Sequence, residues 1–248
     1  MSTESDIKLL RAWIDECSPG GMVFFGGAVV STESGIPDFR SAGGIFMQSI
    51  NQTLSSEQIV SRSFFDYSPA EFYDFYCSKM IYLDAQPNQA HKKLAELESK
   101  GILSAIVTQN IDGLHQRAGS KCVYELHGSI LRNYCMHCGK SYMLEDMLAA
   151  REAAPDGVPR CECGGIIKPD VVLYEESLDT EVLENSVRAI AKADLMVIAG
   201  TSLVVNPAAS LVNYFNGSHL AIVNLSSTYA DKRADLCINA KVGEVFGW

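Results

Sequence analysis

Three groups of residues in this chain have the types and spacing to do chemistry. The first is a set of four cysteines. Cys135 and Cys138 form a C-x-x-C pair, and after an interval of 22 residues Cys161 and Cys163 form a C-x-C pair ahead of Gly164-Gly165. Two such knuckles can place four thiolates tetrahedrally around one zinc ion, leaving no open position for water, so the expected metal is structural rather than catalytic. The second knuckle is tighter than usual, His137 could replace one sulfur, and a redox role or two unrelated thiol pairs would use the same residues. The second group is polar: Thr108-Gln109-Asn110-Ile111-Asp112-Gly113-Leu114-His115, directly after the apolar run Ile102 to Val107, and Glu125-Leu126-His127-Gly128-Ser129, at the end of the run Cys122 to Leu126. Polar residues at the carboxyl ends of parallel strands lie where open α/β sheets bind ligands. A loop whose Asn and Asp satisfy local backbone groups has the same appearance. The third group is Gly26 to Ser41, which follows the apolar run Met22 to Phe25 and reads as a strand opening into a small-residue loop. Such a loop leaves backbone N–H groups for phosphate oxygens, although its spacing is not Gly-x-Gly-x-x-Gly.

The elements that must position these groups alternate along the chain. Ile7, Leu10, Ile14 and Cys17 fall at helical spacing, Met22 to Phe25 is a strand, and Asn88 to Lys100 is a helix ended by Gly101, where a left-handed cap is needed. Ile102 to Val107 is a buried strand, Glu181 to Ala193 is helical, and Leu195 to Ala199 and Leu220 to Leu225 are strands on either side of a segment containing Pro207. Strands alternating with helices imply an α/β fold, a doubly wound, Rossmann-like parallel sheet covered on both faces. Two stretches break the alternation, and together they are expected to make a smaller domain: a helical insertion rich in aromatics, and a zinc-ribbon insertion. The expected division is 1–41, 88–131 and 169–248 for the sheet domain, 42–87 for the helical module and 132–168 for the zinc module.

Composition bounds the function classes. With 248 residues, 47% of them hydrophobic, the chain can bury one sizeable core and a satellite unit. Its net charge of −10 argues against general nucleic-acid binding and fits a basic partner such as a lysine-bearing peptide. Eight cysteines, four of them clustered, suit metal better than a disulfide scaffold. No uninterrupted apolar stretch is long enough to span a membrane and the first residues carry no basic leader, so a soluble, cytoplasmic protein is expected.

Gly27-Ala28-Val29-Val30-Ser31, followed by Gly35-Ile36-Pro37-Asp38-Phe39-Arg40-Ser41, resembles the cofactor-binding loop of the sirtuins, the NAD-dependent protein deacylases. The family pattern Gly-Ala-Gly-x-Ser followed by Gly-Ile-Pro-Asp-Phe-Arg-Ser is matched except at Val29. Thr108 to His115 is similar to the family's Thr-Gln-Asn-Ile-Asp-x-Leu-His segment, and Glu125 to Ser129 to its catalytic His-Gly segment. Gly200-Thr201-Ser202-Leu203 and Val223-Asn224-Leu225 resemble its contacts to the adenosine half of NAD. Val171-Val172-Leu173-Tyr174-Glu175 resembles the extended segment to which sirtuins add a substrate peptide as a strand, and it also reads as an ordinary edge strand. In this order, along nearly the whole chain, the motifs resemble a sirtuin of bacterial type.

The resemblance implies an enzyme that transfers the acyl group of an acyl-lysine peptide to ADP-ribose, with NAD and zinc as cofactors. It implies His127, Asn110 and Asp112 as catalytic residues. His127 would act as general base on a ribose hydroxyl, a task suited to a side chain whose ordinary pKa is near 6.5. Asp112, with the backbone at Ile111, would hold the nicotinamide carboxamide, and Gln109 and Asn110 would orient the ribose and a water. Phe39 would cover the anomeric carbon, while Arg40 would organise the loop and the phosphates. Ala28, Thr32, Thr201, Ser202, Asn224 and Val242 complete the implied cofactor contacts, and Val172, Leu173 and Tyr174 the peptide contacts. His115 is expected to be structural, and no motif assigns a role to His91 or His219. Where family members that remove succinyl or malonyl groups carry Tyr and Arg three residues apart, this chain has Tyr73 and Tyr76, which implies neutral acyl groups. Two other functions fit the same residues: a mono-ADP-ribosyltransferase, and an NAD-responsive binding protein weakened by Val29, a β-branched residue ill suited to positive φ or to a backbone pressed against phosphate.

Overall fold

The computed structural model describes residues 3–39, 44–45 and 54–248. Helix α1 (Thr3–Asp15) leads into strand β1 (Met22–Gly26), which turns at Gly27 into a 3-10 helix, Ala28–Ser34. Three helices follow: α2 (Ser56–Ile59), α3 (Arg62–Tyr67) and α4 (Pro69–Lys79). Helix α5 (Gln89–Ser99) starts where the Asn88 side chain accepts from the N–H groups of Ala90 and His91, and it stops before Gly101 at φ +72°. Next come strand β2 (Leu103–Thr108), helix α6 (Leu114–Ala118), strands β3 (Val123–Glu125), β4 (Gly128–Cys135) and β5 (Ser141–Met143), helix α7 (Leu144–Ala153) and strand β6 (Ile167–Val171). The chain closes with helix α8 (Thr180–Lys192), strands β7 (Leu195–Ala199), β8 (His219–Val223) and β9 (Leu236–Ile238), and helix α9 (Val242–Val245).

Six strands form one sheet in the order β3-β2-β1-β7-β8-β9, and every pairing in it is parallel. β1 and β7 are buried at all five positions, as strands covered on both faces must be. One face packs Leu10, Ile14, Leu94, Leu97 and Phe246 from α1, α5 and the C-terminal end; the other packs Ile190 and the 3-10 helix Ala208–Tyr214. The strand order reverses direction at β1, which pairs β2 on one side and β7 on the other, with Gly26 opposite both Thr108 and Ala199. At such a switch point the loops leaving neighbouring strands diverge, and a crevice opens outside their carboxyl ends.

The second sheet is antiparallel, in the order β5-β4-β6. It shares a core with the helical insertion, because Phe65, Phe72, Tyr73 and Tyr76 pack in one cluster with Ile130, Leu144, Met147 and Ile167. The alternating pattern was legible as elements, with ends displaced by at most four residues: the first helix, read from Ile7, begins at Thr3, while Leu195–Ala199 is met at both ends. Strands β4, β5 and β9 and helix α7 had no reading in the sequence, and the extended segment read at 171–175 is strand only at Val171, the end of β6, with Tyr174 in an isolated bridge to Ser61. No helix among the described residues is long and apolar enough to cross a membrane.

Candidate active site

The crevice at the switch point is built by three loops. After β1, Gly27 takes an extended conformation, and its N–H donates to Ala199 O at 3.1 Å. A Cβ on Gly27 would lie 2.6 Å from Thr201 Cβ, so packing and not φ selects glycine here. Gly200 bends at φ +62° under the same turn, where a Cβ would meet Val30 N at 2.6 Å. Val29 N–H donates to Gly200 O at 3.0 Å, and Val29 is not among the non-glycine residues with positive φ. The expected backbone strain at Val29 is therefore absent: the first turn is a 3-10 helix, and the left-handed residue that closes it is Gly35 at φ +85°. The half-buried Val29 side chain packs into neither core cluster of the large sheet.

After β2, the polar residues face this turn. Ser31 Oγ donates to Asp112 Oδ2 at 2.7 Å and accepts from Asn110 Nδ2 at 3.0 Å, while Asp112 Oδ1 accepts from Leu114 N–H at 2.9 Å. Burial pushes the Asp112 carboxyl above the ordinary carboxylate range, against the two hydrogen bonds that favour its ionised form. Asn110 is 6% exposed, and its Oδ1 is buried with no hydrogen-bond partner. An orphaned buried acceptor is costly, on the order of 1–3 kcal/mol, unless a ligand or water donates to it. Gln109 Nε2 donates to Thr201 Oγ1 at 2.9 Å, and Asn224 clamps Thr201 through its N–H at 3.1 Å and its carbonyl at 2.6 Å. Thr32 Oγ1 donates to Val29 O at 2.8 Å, and Ser202 is exposed beside the buried Thr201.

His127 follows β3 and precedes Gly128, whose φ of +75° and approach to the backbone admit no side chain, since a Cβ would lie 1.9 Å from Asp170 O. Its Nδ1 is 3.0 Å from Gln109 O, a group that only accepts, so this nitrogen carries the proton and Nε2 is the basic one. His127, Phe39, Val60, Met80, Ile111 and Leu173 wall a cavity of about 200 Å³, with Val205, Asn206 and Pro207 opposite Val172 and Tyr174. A smaller cavity of about 30 Å³ lies against Ala28, Ser31, Asn110 and Asp112 and shares Phe39, Met80 and Ile111 with the larger one.

The expected site residues are thus largely gathered at one place, with two exceptions. Val242 is 2% exposed and packed into the core under the sheet, leaving only its main chain for a ligand. Arg40 lies outside the described residues. Tyr73 and Tyr76 are fully buried in the aromatic core and wall neither cavity, so the acyl preference rests on the cavity's own lining, which among the described residues holds no Lys or Arg. Sequence reasoning gave no part to Ser31, the hydroxyl joining Asn110 to Asp112, although it lies in the small-residue loop. Nor did it assign the wall Val205–Pro207, which carries no motif and enters through a cis Asn206–Pro207 bond.

The four cysteine sulfurs all lie within 4.8 Å of one another, with Cys135 to Cys163 at 3.4 Å and Cys138 to Cys161 at 3.6 Å. Sulfurs bound tetrahedrally at a Zn–S distance of about 2.3 Å are separated by roughly 3.8 Å, so the set fits zinc. His137 is not part of it. The N–H groups of Cys138 and His137 point at Cys135 Sγ and hold that thiol below its ordinary range; at Cys161 the N–H of Cys163 leads a shift down to about 6.

Comparison with known proteins decides the family. The model of the Sir2 family matches residues 27–207. An NAD-dependent protein deacetylase of Clostridium perfringens (strain 13 / Type A) is 58% identical over 91% of this chain and 91% of its own. The chain belongs to the Sir2 family. Another relative, an NAD-dependent protein deacetylase of Staphylococcus aureus (strain MSSA476), is 41% identical over 95% of this chain and 94% of its own. Among solved structures, a Sir2–p53 peptide–NAD+ complex is 40% identical with a TM-score of 0.84, covering 97% of this chain and 95% of that one. Sir2Tm bound to a propionylated peptide is 39% identical with a TM-score of 0.85 and the same coverage. Family membership thus joins a six-stranded Rossmann-like sheet and a four-cysteine zinc cluster to a crevice at the switch point.

Proposed function

We propose that this chain is an NAD-dependent protein-lysine deacylase that transfers the acyl group to ADP-ribose and releases nicotinamide. The observation that carries the reading is the pair of adjoining cavities, which share Phe39, Met80 and Ile111: one has His127 in its wall, and the smaller is lined by Ser31, Asn110 and Asp112, where Asn110 Oδ1 is buried without a hydrogen-bond partner. When bound, NAD supplies an anomeric carbon from which nicotinamide can leave, so that the acyl carbonyl oxygen can attack there.

The chain's own residues do the positioning, which matters most when the nucleophile is weak. The turn at Gly27, with Ala28 and Thr32, receives the phosphates, and Gly27 and Gly200 keep its floor bare of side chains. Thr201, Ser202 and Asn224, with the main chain at Val242, take the adenosine half. Asp112, held by Ser31, and the backbone of Ile111 hold the carboxamide; Asn110 and Gln109 orient the ribose; Phe39 covers the reacting carbon; Arg40 steadies the loop. His127 Nε2 accepts the ribose hydroxyl proton. Val172, Leu173 and Tyr174 wall the peptide side of the cavity; because the N–H groups of all three are already bonded within the protein, only their carbonyls are offered to the peptide main chain. The sheet domain carries the nucleotide, while the helical module 42–87 and the zinc module frame the peptide; the expected cuts at 131/132 and 168/169 fall inside β4 and β6, so the zinc module's sheet runs from Gly128 to Val171.

Incubation with NAD and an acetyl-lysine peptide, followed by mass spectrometry of both products, tests this. Free lysine with acetylated ADP-ribose is expected. ADP-ribose appearing on an unmodified peptide, with no deacetylation, would overturn it.

A further inference from the structure

Glu175 and Leu203 are the two non-glycine residues with positive φ among the described residues, at +77° and +53°. Glu175 is the third residue of a turn closed by Glu176 N–H to Leu173 O at 3.0 Å. A turn position with positive φ belongs by default to glycine or asparagine, because a Cβ crowds the backbone there. A glutamate persists in it only where the surroundings over-determine the conformation. Here the Glu175 side chain has one partner residue: Ser63 donates its N–H to Glu175 Oε2 at 2.8 Å and its hydroxyl to Oε1 at 2.9 Å, so both carboxylate oxygens are engaged.

Neighbouring contacts run the same way. Tyr174 N–H donates to Val60 O at 3.1 Å and Arg62 N–H to Tyr174 O at 2.9 Å, joining the turn's main chain to the α2–α3 junction. Glu176 Oε2 accepts from the buried Lys168 Nζ at 3.0 Å and from Leu173 N–H at 2.9 Å, and its Oε1 from Arg62 at 3.2 Å. The segment before the turn walls the large cavity, as do Glu175 and Glu176 of the turn itself, and Val172 N–H donates to His127 O at 3.0 Å.

We propose that Glu175 and Ser63 form a latch that holds the turn Leu173–Glu176 in its left-handed conformation and thereby sets the line of Val172–Tyr174 for the acyl-lysine peptide. Both are positioning residues: Glu175 lies in the cavity wall, but both of its carboxylate oxygens are held by Ser63, so the carboxylate acts through the backbone of the turn. The latch rests on the deacylase reading for its purpose, though not for its existence. It makes the peptide wall depend on the first turn of α3, so the helical insertion and the substrate segment are set together. None of its members touches Gly27, Gln109 or Thr201, so its failure should spare the cofactor side.

The test compares E175A, E175G, S63A and the double variant S63A/E175A with the unaltered protein. Two readouts are taken: amide hydrogen exchange across residues 172–176, and KM for an acetyl-lysine peptide and for NAD. E175A leaves a strained turn without its latch. Its exchange should accelerate and its peptide KM should rise about tenfold, with KM for NAD within about twofold. E175G should stay within about threefold of the unaltered protein, because glycine takes this φ freely. S63A should move in the direction of E175A but less, since the Ser63 N–H remains, and the double variant should be no worse than E175A alone. Exchange and peptide KM unchanged in E175A would overturn the latch, and so would an E175G as impaired as E175A, which would mean that the carboxylate meets the peptide itself. An unaltered protein that exchanges as expected yet deacylates nothing would count against the proposed function and leave the latch standing.

Discussion

His127 has one ring nitrogen committed before any ligand arrives. Because Gln109 O can only accept, the proton stays on Nδ1, and Nε2 is presented as a base without a tautomer to select. Replacing His127 by Ala should therefore lower kcat by about 10²–10⁴, the usual yield of a positioned general base. NAD binding, followed by calorimetric titration, should persist because the groups clamped around Thr201 and Asn110 remain. His115→Ala should behave otherwise. That ring is 1% exposed and packs on Phe24 and His91, so the loss is stability, of roughly 2–5 kcal/mol for a large-to-small core change. Equal rate losses in two well-folded variants would sink the assignment of the base. The cavity lining carries a second expectation. Walled by Phe39, Val60, Met80, Ile111 and Leu173, with Glu175 and Glu176 but no cation among its described lining residues, it would bury a carboxylate without a partner. Acetyl-lysine and longer apolar acyl-lysine peptides should turn over faster than a succinyl-lysine peptide of the same sequence, and the reverse order in kcat/KM would refute this. At this scale the motifs were legible because each sits in a loop directly behind a strand. The strain expected at Val29 was not legible either way, because the sequence does not tell that the loop after β1 runs as a 3-10 helix.

Strand β4 joins the two chemistries of the molecule. It starts at Gly128, next to His127, and ends at Cys135, so its eight residues, at about 3.3 Å each, put the zinc cluster roughly 23 Å from the base. The metal is then too far away to take part in acyl transfer, and its work is to fold the module. The purified chain should carry one zinc equivalent, measured by elemental analysis, and chelation should cost the β4–β6 sheet and α7 their order. Because Phe72, Tyr73 and Tyr76 share that core, the helical insertion should loosen too and peptide turnover should fall, while the large sheet, with its own two clusters, keeps most of its amide protection. Well-folded protein with near-zero metal content would contradict this. Elements of this module were the least legible in the sequence. Tyr142 in β5 has no alternating partners, β4 breaks its register between Gly128 and Asn133, and what orders them is the distant cysteine set. The parallel strands were legible because burial on both faces writes them as uninterrupted apolar runs. β9, only three residues long with Cys237 exposed at its centre, gives no such run.

At the scale of the whole molecule, two histidines set how the fold meets acid. His91 and His115 are buried together with ring centroids 4.7 Å apart, and His91 Nε2 and both His115 ring nitrogens have no hydrogen-bond partner. Burial pushes the His91 imidazole down to about 4, and burial, followed by the neighbouring His91, holds His115 well below the ordinary range. Both rings are neutral in the folded chain. As pH falls below about 6.5 the unfolded chain takes up protons that the folded one refuses, so stability drops by up to about 1.4 kcal/mol per pH unit for each ring. For His91 the drop ends near pH 4, where the folded ring is protonated as well, for a total of about 3 kcal/mol. Carboxylates add their own acid dependence, so the measurement must be a difference. Urea unfolding of the unaltered protein and of His115→Leu should give free energies that converge, or cross in favour of the leucine variant, as pH is lowered from 7.5 to 4.5, because leucine fills the core and binds no proton in either state. Two curves that stay parallel across that range would show that the buried pair does not govern acid stability.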